Sequence, residues 1–130
     1  MMKFREGNMA GWIGVRPGHN GEQVAKSNSV SGAIAIVYTV SVLKTFFLTH
    51  FTLGYYSVGA ATNVAFYIRD AGDALVYTIF GVNALAGWSK GFSGLLNPPL
   101  EIPAGYDICI STGGAAGLIQ AFVHGWEEAP

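Results

Sequence analysis

The chain of 130 residues is long enough for one domain, since domains most often contain about 100 to 150 residues. Its net charge is −1 and its seven Lys and Arg residues are scattered singly, so the sequence lacks the basic patch that nucleic-acid binding requires. Only 12% of the residues are charged whereas 51% are hydrophobic, which is more apolar surface than one small domain readily buries. The composition therefore predicts a subunit that assembles with other subunits.

The most hydrophobic window, residues 32–43, is too short to span a membrane as a helix, which takes about 20 apolar residues. It is followed by polar residues at strand-like spacing. Basic residues near the start of the chain are followed directly by a polar, Gly-rich stretch. A secretory signal would have an apolar run at that point. We expect neither a transmembrane helix nor a membrane partner.

Residues 1–21 carry five glycines and Pro17, a composition that loses much conformational entropy if it becomes ordered alone. We predict a flexible N-terminal arm over residues 1–21 and a single β-sandwich domain over residues 22–130. Large apolar residues on a flexible arm are most useful if they dock on something, so Trp12, Ile13 and Val15 are the predicted partner-binding anchors. Packing of these residues on their own sandwich is an equal alternative.

From residue 23 onward the chain shows the period-two alternation of half-buried strands and no helical periodicity. The turn at residues 70–73 joins the most clearly defined hairpin. Eight short strands without helices predict an all-β protein, an antiparallel two-sheet sandwich, and favour a jelly roll. The predicted strands lie near residues 23–27, 34–40, 44–55, 63–69, 75–79, 91–96, 106–111 and 118–126.

Three details of the strand pattern lead to further predictions. The alternation is less regular before residue 50 than after it, which predicts a register change or bulge at Leu48 to His50. Pro98 and Pro99 are expected to terminate the sixth strand, because proline has no N–H to donate to a sheet. The last two strands, joined by a glycine-rich loop, are expected to pair with each other.

Several strands carry apolar side chains on the face opposite the residues that we assign to the core. One sandwich has only one inner side per sheet, and the scarcity of charge favours subunit contact for the second face. An ordinary, partly apolar surface is the alternative. The predicted oligomer interface consists of Phe46, Leu48, Val76, Phe80 and Phe122.

The side chains that could perform chemistry are not arranged in any catalytic or metal-binding motif. The three histidines lack the spacing of a metal site, and most acidic residues stand where turns favour them. The single Cys109 lies in an alternating stretch and is interpreted as a packed thiol. We therefore predict no catalytic residue, no metal, no cofactor and no enzymatic activity.

Aromatic residues offer one alternative function, because exposed rings can form a stacking platform for sugars on a sandwich. Asn83 precedes Trp88 and is the most suggestive polar neighbour of an aromatic ring in this sequence. The alternative prediction is therefore a receptor-binding or carbohydrate-binding sandwich, with Asn83 and Trp88 as glycan contacts.

Two segments carry a resemblance to a known class of protein, namely residues 37–45 (VYTVSVLKT) and residues 97–106 (NPPLEIPAGY), together with a final strand AFVHGW at residues 121–126. They resemble small virion proteins of tailed bacteriophages over roughly residues 31–128. The sequence departs from that pattern at Ser41-Val42-Leu43, where a Pro-Ala-Gly turn would be expected. The resemblance implies a jelly-roll or similar sandwich that serves as a capsid decoration, or cement, protein on the virion surface. It further implies a homotrimer that binds the major capsid protein, and no catalytic residue is carried over from it. Within the same class of virus, the carbohydrate-binding alternative would be a module of a tail fibre or tail tip.

Overall fold

The alternating segments form β-strands in the computed structural model, which describes residues 21–129. The all-β prediction is confirmed, with eight strands in chain order. Residues 21–129 contain no helix with the length and hydropathy that crossing a membrane requires. The strands are β1 (Glu22–Val30), β2 (Ile34–Thr39), β3 (Thr45–Ser57), β4 (Thr62–Arg69), β5 (Leu75–Ala84), β6 (Ser89–Ile102), β7 (Asp107–Thr112) and β8 (Gly117–Glu128).

The strands build two antiparallel sheets of four strands each, with the order β1-β8-β3-β6 in sheet A and β2-β7-β4-β5 in sheet B. This order pairs the first strand with the last, the second with the seventh and so on inward, which is the arrangement of a jelly roll. The predicted hairpin of β4 and β5 is confirmed. The predicted pairing of the last two strands is wrong, because β7 lies in sheet B and β8 crosses to sheet A.

A β-bulge interrupts strand β3 at the position that the sequence predicts. Leu48 pairs with Gly125 of β8, whereas His50, two residues further on, pairs with the adjacent His124. Thr49 is thus the extra residue, and its hydroxyl donates a hydrogen bond of 2.9 Å to the carbonyl of His124. An extra residue reverses which side chains face inward on either side of the bulge.

This reversal corrects part of the predicted interface. Alternation counted back from the buried Phe51 would place Phe46 and Leu48 on the outer face, but the bulge turns both inward and neither has any exposed surface. Phe80 also packs against the core, with its ring centroid 4.7 Å from that of Phe92. The prediction that Phe46, Leu48 and Phe80 lie on an outer apolar face is therefore wrong. Val76 is 53% exposed and Phe122 is 42% exposed.

The prediction that the prolines end the sixth strand is also wrong, because β6 continues through Pro98 and Pro99 to Ile102. Residues 96–99 lie opposite the bulge of β3, where the ladder of paired residues is interrupted. The strand also stands at the edge of sheet A. Edge strands and bulges are the places where a sheet tolerates proline, since no neighbouring strand needs its missing N–H.

Candidate interaction surfaces

The turn between β2 and β3 presents two apolar residues to solvent at one end of the sandwich. Val42 is 80% exposed and Leu43 is 75% exposed, and we call this pair the apolar tip. Leu43 has a φ of 62°, in the left-handed region that side chains with a Cβ rarely adopt. The backbone of this turn is therefore held in an unfavourable conformation that keeps both side chains in solvent.

A buried carboxylate holds the turn in place. Glu127 of β8, which is 3% exposed, accepts hydrogen bonds from the backbone N–H and the hydroxyl of Ser41, each 2.9 Å long. It also accepts a hydrogen bond from the hydroxyl of Tyr38. These bonds fix the base of the turn to the last strand, so the apolar tip stands on a rigid support.

The pKa values of this network follow from its geometry. Burial by itself would raise the pKa of Glu127, but hydrogen bonds from Tyr38 and Ser41 outweigh it and lower the pKa below 4.5. Burial, with the hydrogen bond to Glu127 next in importance, raises the pKa of Tyr38 to about 12. At neutral pH the pair consists of a carboxylate and a neutral phenol, which is the combination that the hydrogen bonds require.

A second polar cluster lies on the outer face of sheet B. The carboxylate of Asp107 is 3.3 Å from the Nε of Arg69 and accepts a 2.6 Å hydrogen bond from the hydroxyl of Thr39. Arg69 also lies 3.4 Å from a carboxylate oxygen of Asp73. Asp107 joins Thr39 of β2 to Arg69 of β4, so this cluster ties β2, β4 and β7 together.

Cys109 lies beside this cluster and has no exposed surface. Burial raises the pKa of its thiol to about 11, so the thiol stays protonated and unreactive at neutral pH. The prediction of a packed thiol is confirmed. Among residues 21–129, no three His, Cys, Asp and Glu side chains converge as a metal site would require.

An open apolar groove of about 220 Å³ lies between β5 and β6, the edge strands of the two sheets. We call it the edge groove. Strand β5 is poorly covered here, because Leu75, Val76 and Tyr77 are all more than half exposed. The groove is lined by Ile68, Val76, Tyr77, Leu100, Glu101, Ile102, Pro103 and Tyr106.

The outer face of sheet A carries the two described histidines. His50 and His124 lie directly opposite each other on β3 and β8, and both are half-buried. The ring of Phe122 lies 6.4 Å from that of His124, and Leu95, which pairs with His50 on the other side, is 82% exposed. Sequence spacing could not predict this pairing, because it depends on the bulge at Thr49.

The predicted binding residues are dispersed over the molecule. The arm anchors Trp12, Ile13 and Val15 lie outside the described residues. Val76 lines the edge groove and Phe122 stands on the outer face of sheet A, so these two belong to different surfaces.

The two predicted glycan contacts have different neighbours. Asn83 pairs with Asn63 across β4 and β5, in a polar depression that Gly113 and Gly114 also line. Trp88 instead lies in the loop that follows β5, with the ammonium of Lys90 5.7 Å from its ring centroid. The apolar tip was not predicted from the sequence, although the departure at Ser41-Val42-Leu43 from the resembled pattern was a signal for it.

No protein-family model and no curated protein matches this chain. Solved structures that are similar in fold include the following two. One is a chain of the cyanophage Pam1 capsid asymmetric unit, 21% identical, with a TM-score of 0.48 over 94% of both chains. The other is a chain of the Bacillus endospore appendages, described as a novel family of disulfide-linked pili. It is 15% identical, with a TM-score of 0.38 over 92% of this chain and 98% of that chain.

Proposed function

We propose that this chain is a non-enzymatic capsid decoration protein that forms homotrimers and stabilises the shell of a tailed bacteriophage by binding its major capsid protein. The observation that carries the proposal is the presence of several separate apolar surfaces on one small sandwich. The apolar tip and the edge groove lie at the same end of the sandwich, where the backbone of Val40 is hydrogen-bonded to Gly105 and Tyr106, and the outer face of sheet A is a separate surface. A module that must contact both its own copies and a shell needs surfaces distributed in this way.

The apolar tip is the proposed contact with the major capsid protein. Val42 and Leu43 are almost fully exposed, and the hydrogen bonds from Ser41 to Glu127 hold their turn in one conformation. A preformed protrusion loses little conformational entropy on binding, so most of its apolar burial contributes to affinity. Burying two such side chains contributes roughly 3 to 6 kcal/mol before the other costs of association.

The outer face of sheet A is the proposed trimer interface. Phe122 and Leu95 supply exposed apolar area on this face, with the half-buried His50 and His124 between them. The N-terminal arm, with Trp12, Ile13 and Val15 as anchors, extends the contact with the shell. An arm that binds the shell lengthens the contact footprint of the subunit.

Co-sedimentation with empty phage shells tests the proposal. The full chain is expected to pellet with shells and to raise the temperature at which they rupture. Val42→Ser together with Leu43→Ser should weaken attachment, while Val58→Ser, also an exposed Val→Ser change but in another loop, is the matched control. Equal attachment of all variants, or no attachment of the full chain, would overturn the proposed role of the tip.

One observation favours the second candidate, a carbohydrate-binding module of a tail fibre or tail tip. The paired Asn63 and Asn83 present amide groups in a polar depression, and amides are suited to hydrogen-bonding sugar hydroxyls. A glycan array tests this candidate. Binding that is lost with Asn83→Ala but retained with Trp88→Ala would place the glycan in the depression, and binding lost with Trp88→Ala would place it on the loop.

A further inference from the structure

The edge groove is an apolar surface that the described residues leave uncovered, at the open side of the sandwich between the two edge strands. We propose that residues 9–15 of the same chain occupy the edge groove in the free subunit. This inference goes beyond the proposed function, because it concerns the subunit before it meets any partner.

The place where the described chain begins supports this occupant. Gly21 precedes β1 at the end of sheet A where β6 finishes, since Glu22 pairs with Glu127 and, at the same end, Phe46 pairs with Ile102 of the groove. A Cβ added to Gly21 would lie 2.1 Å from the ring of Trp126. The chain therefore enters the sandwich in close contact with the Trp126 ring.

A row of side chains leads from that point to the groove. On the outer face of sheet A, Trp126 pairs with Phe47, and Phe47 pairs with Glu101 of the groove. The rings of Trp126 and Phe47 are stacked, with centroids 5.0 Å apart. These pairings place Gly21 and the groove at the same end of sheet A, on either side of the stacked Trp126 and Phe47 rings.

The distance is within reach of the chain. Strands β1 and β6 are three strand spacings apart, which is about 14 Å. The six residues from Val15 to Gly21 span at most about 20 Å when extended. Val15 can therefore reach the groove, and the preceding residues back to Met9 can lie in it.

The N-terminal segment and the edge groove also match in apolar character and in charge. The groove offers Ile68, Leu100 and Ile102, and the segment offers Met9, Trp12, Ile13 and Val15. Residues 1–20 contain Lys3, Arg5 and Arg16 against one acid, whereas this end of the sandwich carries the acids Glu22, Glu101 and Glu128 outside the buried network, against Lys44. Opposite charges favour docking of the segment at this end.

Occupation by the same chain is favoured over occupation by a second copy. A tethered segment that can span the distance acts at an effective concentration on the order of millimolar, well above the concentration of other copies in dilute solution. The anchors would leave the groove when they bind a shell. The segment can dock in the groove whether or not the chain binds capsids. Both experiments that test this docking use the isolated protein only.

Disulfide trapping is the first test. In Ile13→Cys with Val76→Cys, oxidised glutathione should form a disulfide within one chain about tenfold faster than in Ile13→Cys with Thr52→Cys, because docking holds residue 13 beside Val76, whereas an undocked tether would meet both partners at a similar effective concentration. Thr52 is exposed on the outer face of sheet A, and the buried Cys109 remains reduced. Equal rates for the two pairs would overturn the proposal. Disulfides found only between chains would identify a second copy as the occupant and would also overturn it.

Protection of Trp12 from chymotrypsin is the second test. Val76→Glu places a charge in the groove at a position that is already 53% exposed, so the sandwich should still fold. Cleavage after Trp12 should accelerate several-fold in this variant. Val58→Glu, the same change at an exposed loop residue outside the groove, is the control and should leave the rate unchanged. A Val76→Glu rate equal to that of the unmodified chain would show that the segment does not occupy the groove.

Discussion

The carboxylate of Glu127 accepts two hydrogen bonds of 2.9 Å from Ser41, although 86 residues separate the two in the sequence. Glu127 lies near the end of the last strand and Ser41 at the base of the turn between β2 and β3. The contact joins the final strand of sheet A to the turn that enters sheet A from sheet B. It is the interaction on which the shape of the apolar tip depends.

Glu127→Gln should therefore destabilise the protein. The amide keeps the size of the side chain but loses the charge and one acceptor oxygen, leaving Ser41 or Tyr38 without its buried partner. We expect the free energy of unfolding to fall by about 1 to 3 kcal/mol, measured by urea denaturation. Glu22→Gln is the control, because Glu22 is exposed and its contact with Lys44 is 3.7 Å long. A loss no larger than that of the control would contradict the role of Glu127.

The same carboxylate makes stability depend on pH. Because the pKa of Glu127 is lower in the folded state than its ordinary value of 4.5, its contribution is fully present above pH 4.5. That contribution is lost as the pH falls through the folded-state pKa. Thermal unfolding between pH 6 and pH 2.5 should show a smaller decline for Glu127→Gln than for the unmodified chain. Parallel curves would rule out this linkage.

Because Leu43 has a positive φ, one substitution at this residue should stabilise the fold and weaken attachment to shells. Asn adopts the left-handed conformation more readily than Leu, so Leu43→Asn should raise the free energy of unfolding, by up to about 1 kcal/mol. The same change removes half of the apolar tip and should weaken attachment to shells. Val42→Asn makes the same polar change at a residue without a positive φ and should weaken attachment with no gain in stability. Equal stability of the two variants would show that the φ of Leu43 is not a source of strain.

Phe46 and Phe122 should respond differently to the same substitution. Phe46 is fully buried in the core, so Phe46→Ala should lower the free energy of unfolding by about 3 to 5 kcal/mol. Phe122 is 42% exposed, and Phe122→Ala should have a much smaller effect on the monomer but shift the mass measured by light scattering toward the monomer. An unchanged mass for Phe122→Ala would remove Phe122 from the proposed trimer interface.

The sequence by itself determined the strands, because alternation of apolar and polar residues is a local property that each strand shows without its neighbours. The eight strands, the hairpin at residues 70–73 and the bulge at Leu48 to His50 could all be predicted in this way. The packed thiol of Cys109 followed from the same local pattern.

Only the tertiary structure decided which face each residue occupies and which distant residues meet. One extra residue at Thr49 reverses the alternation, so Phe46 and Leu48 are buried although their spacing from Phe51 suggested otherwise. Strand β6 accommodates Pro98 and Pro99 because it is an edge strand and the two prolines lie opposite that bulge. The contact between Glu127 and Ser41 depends on the jelly-roll path, which brings the last strand beside an early turn. Such contacts arise from sheet order and register, and neither is encoded in the spacing of residues along one strand.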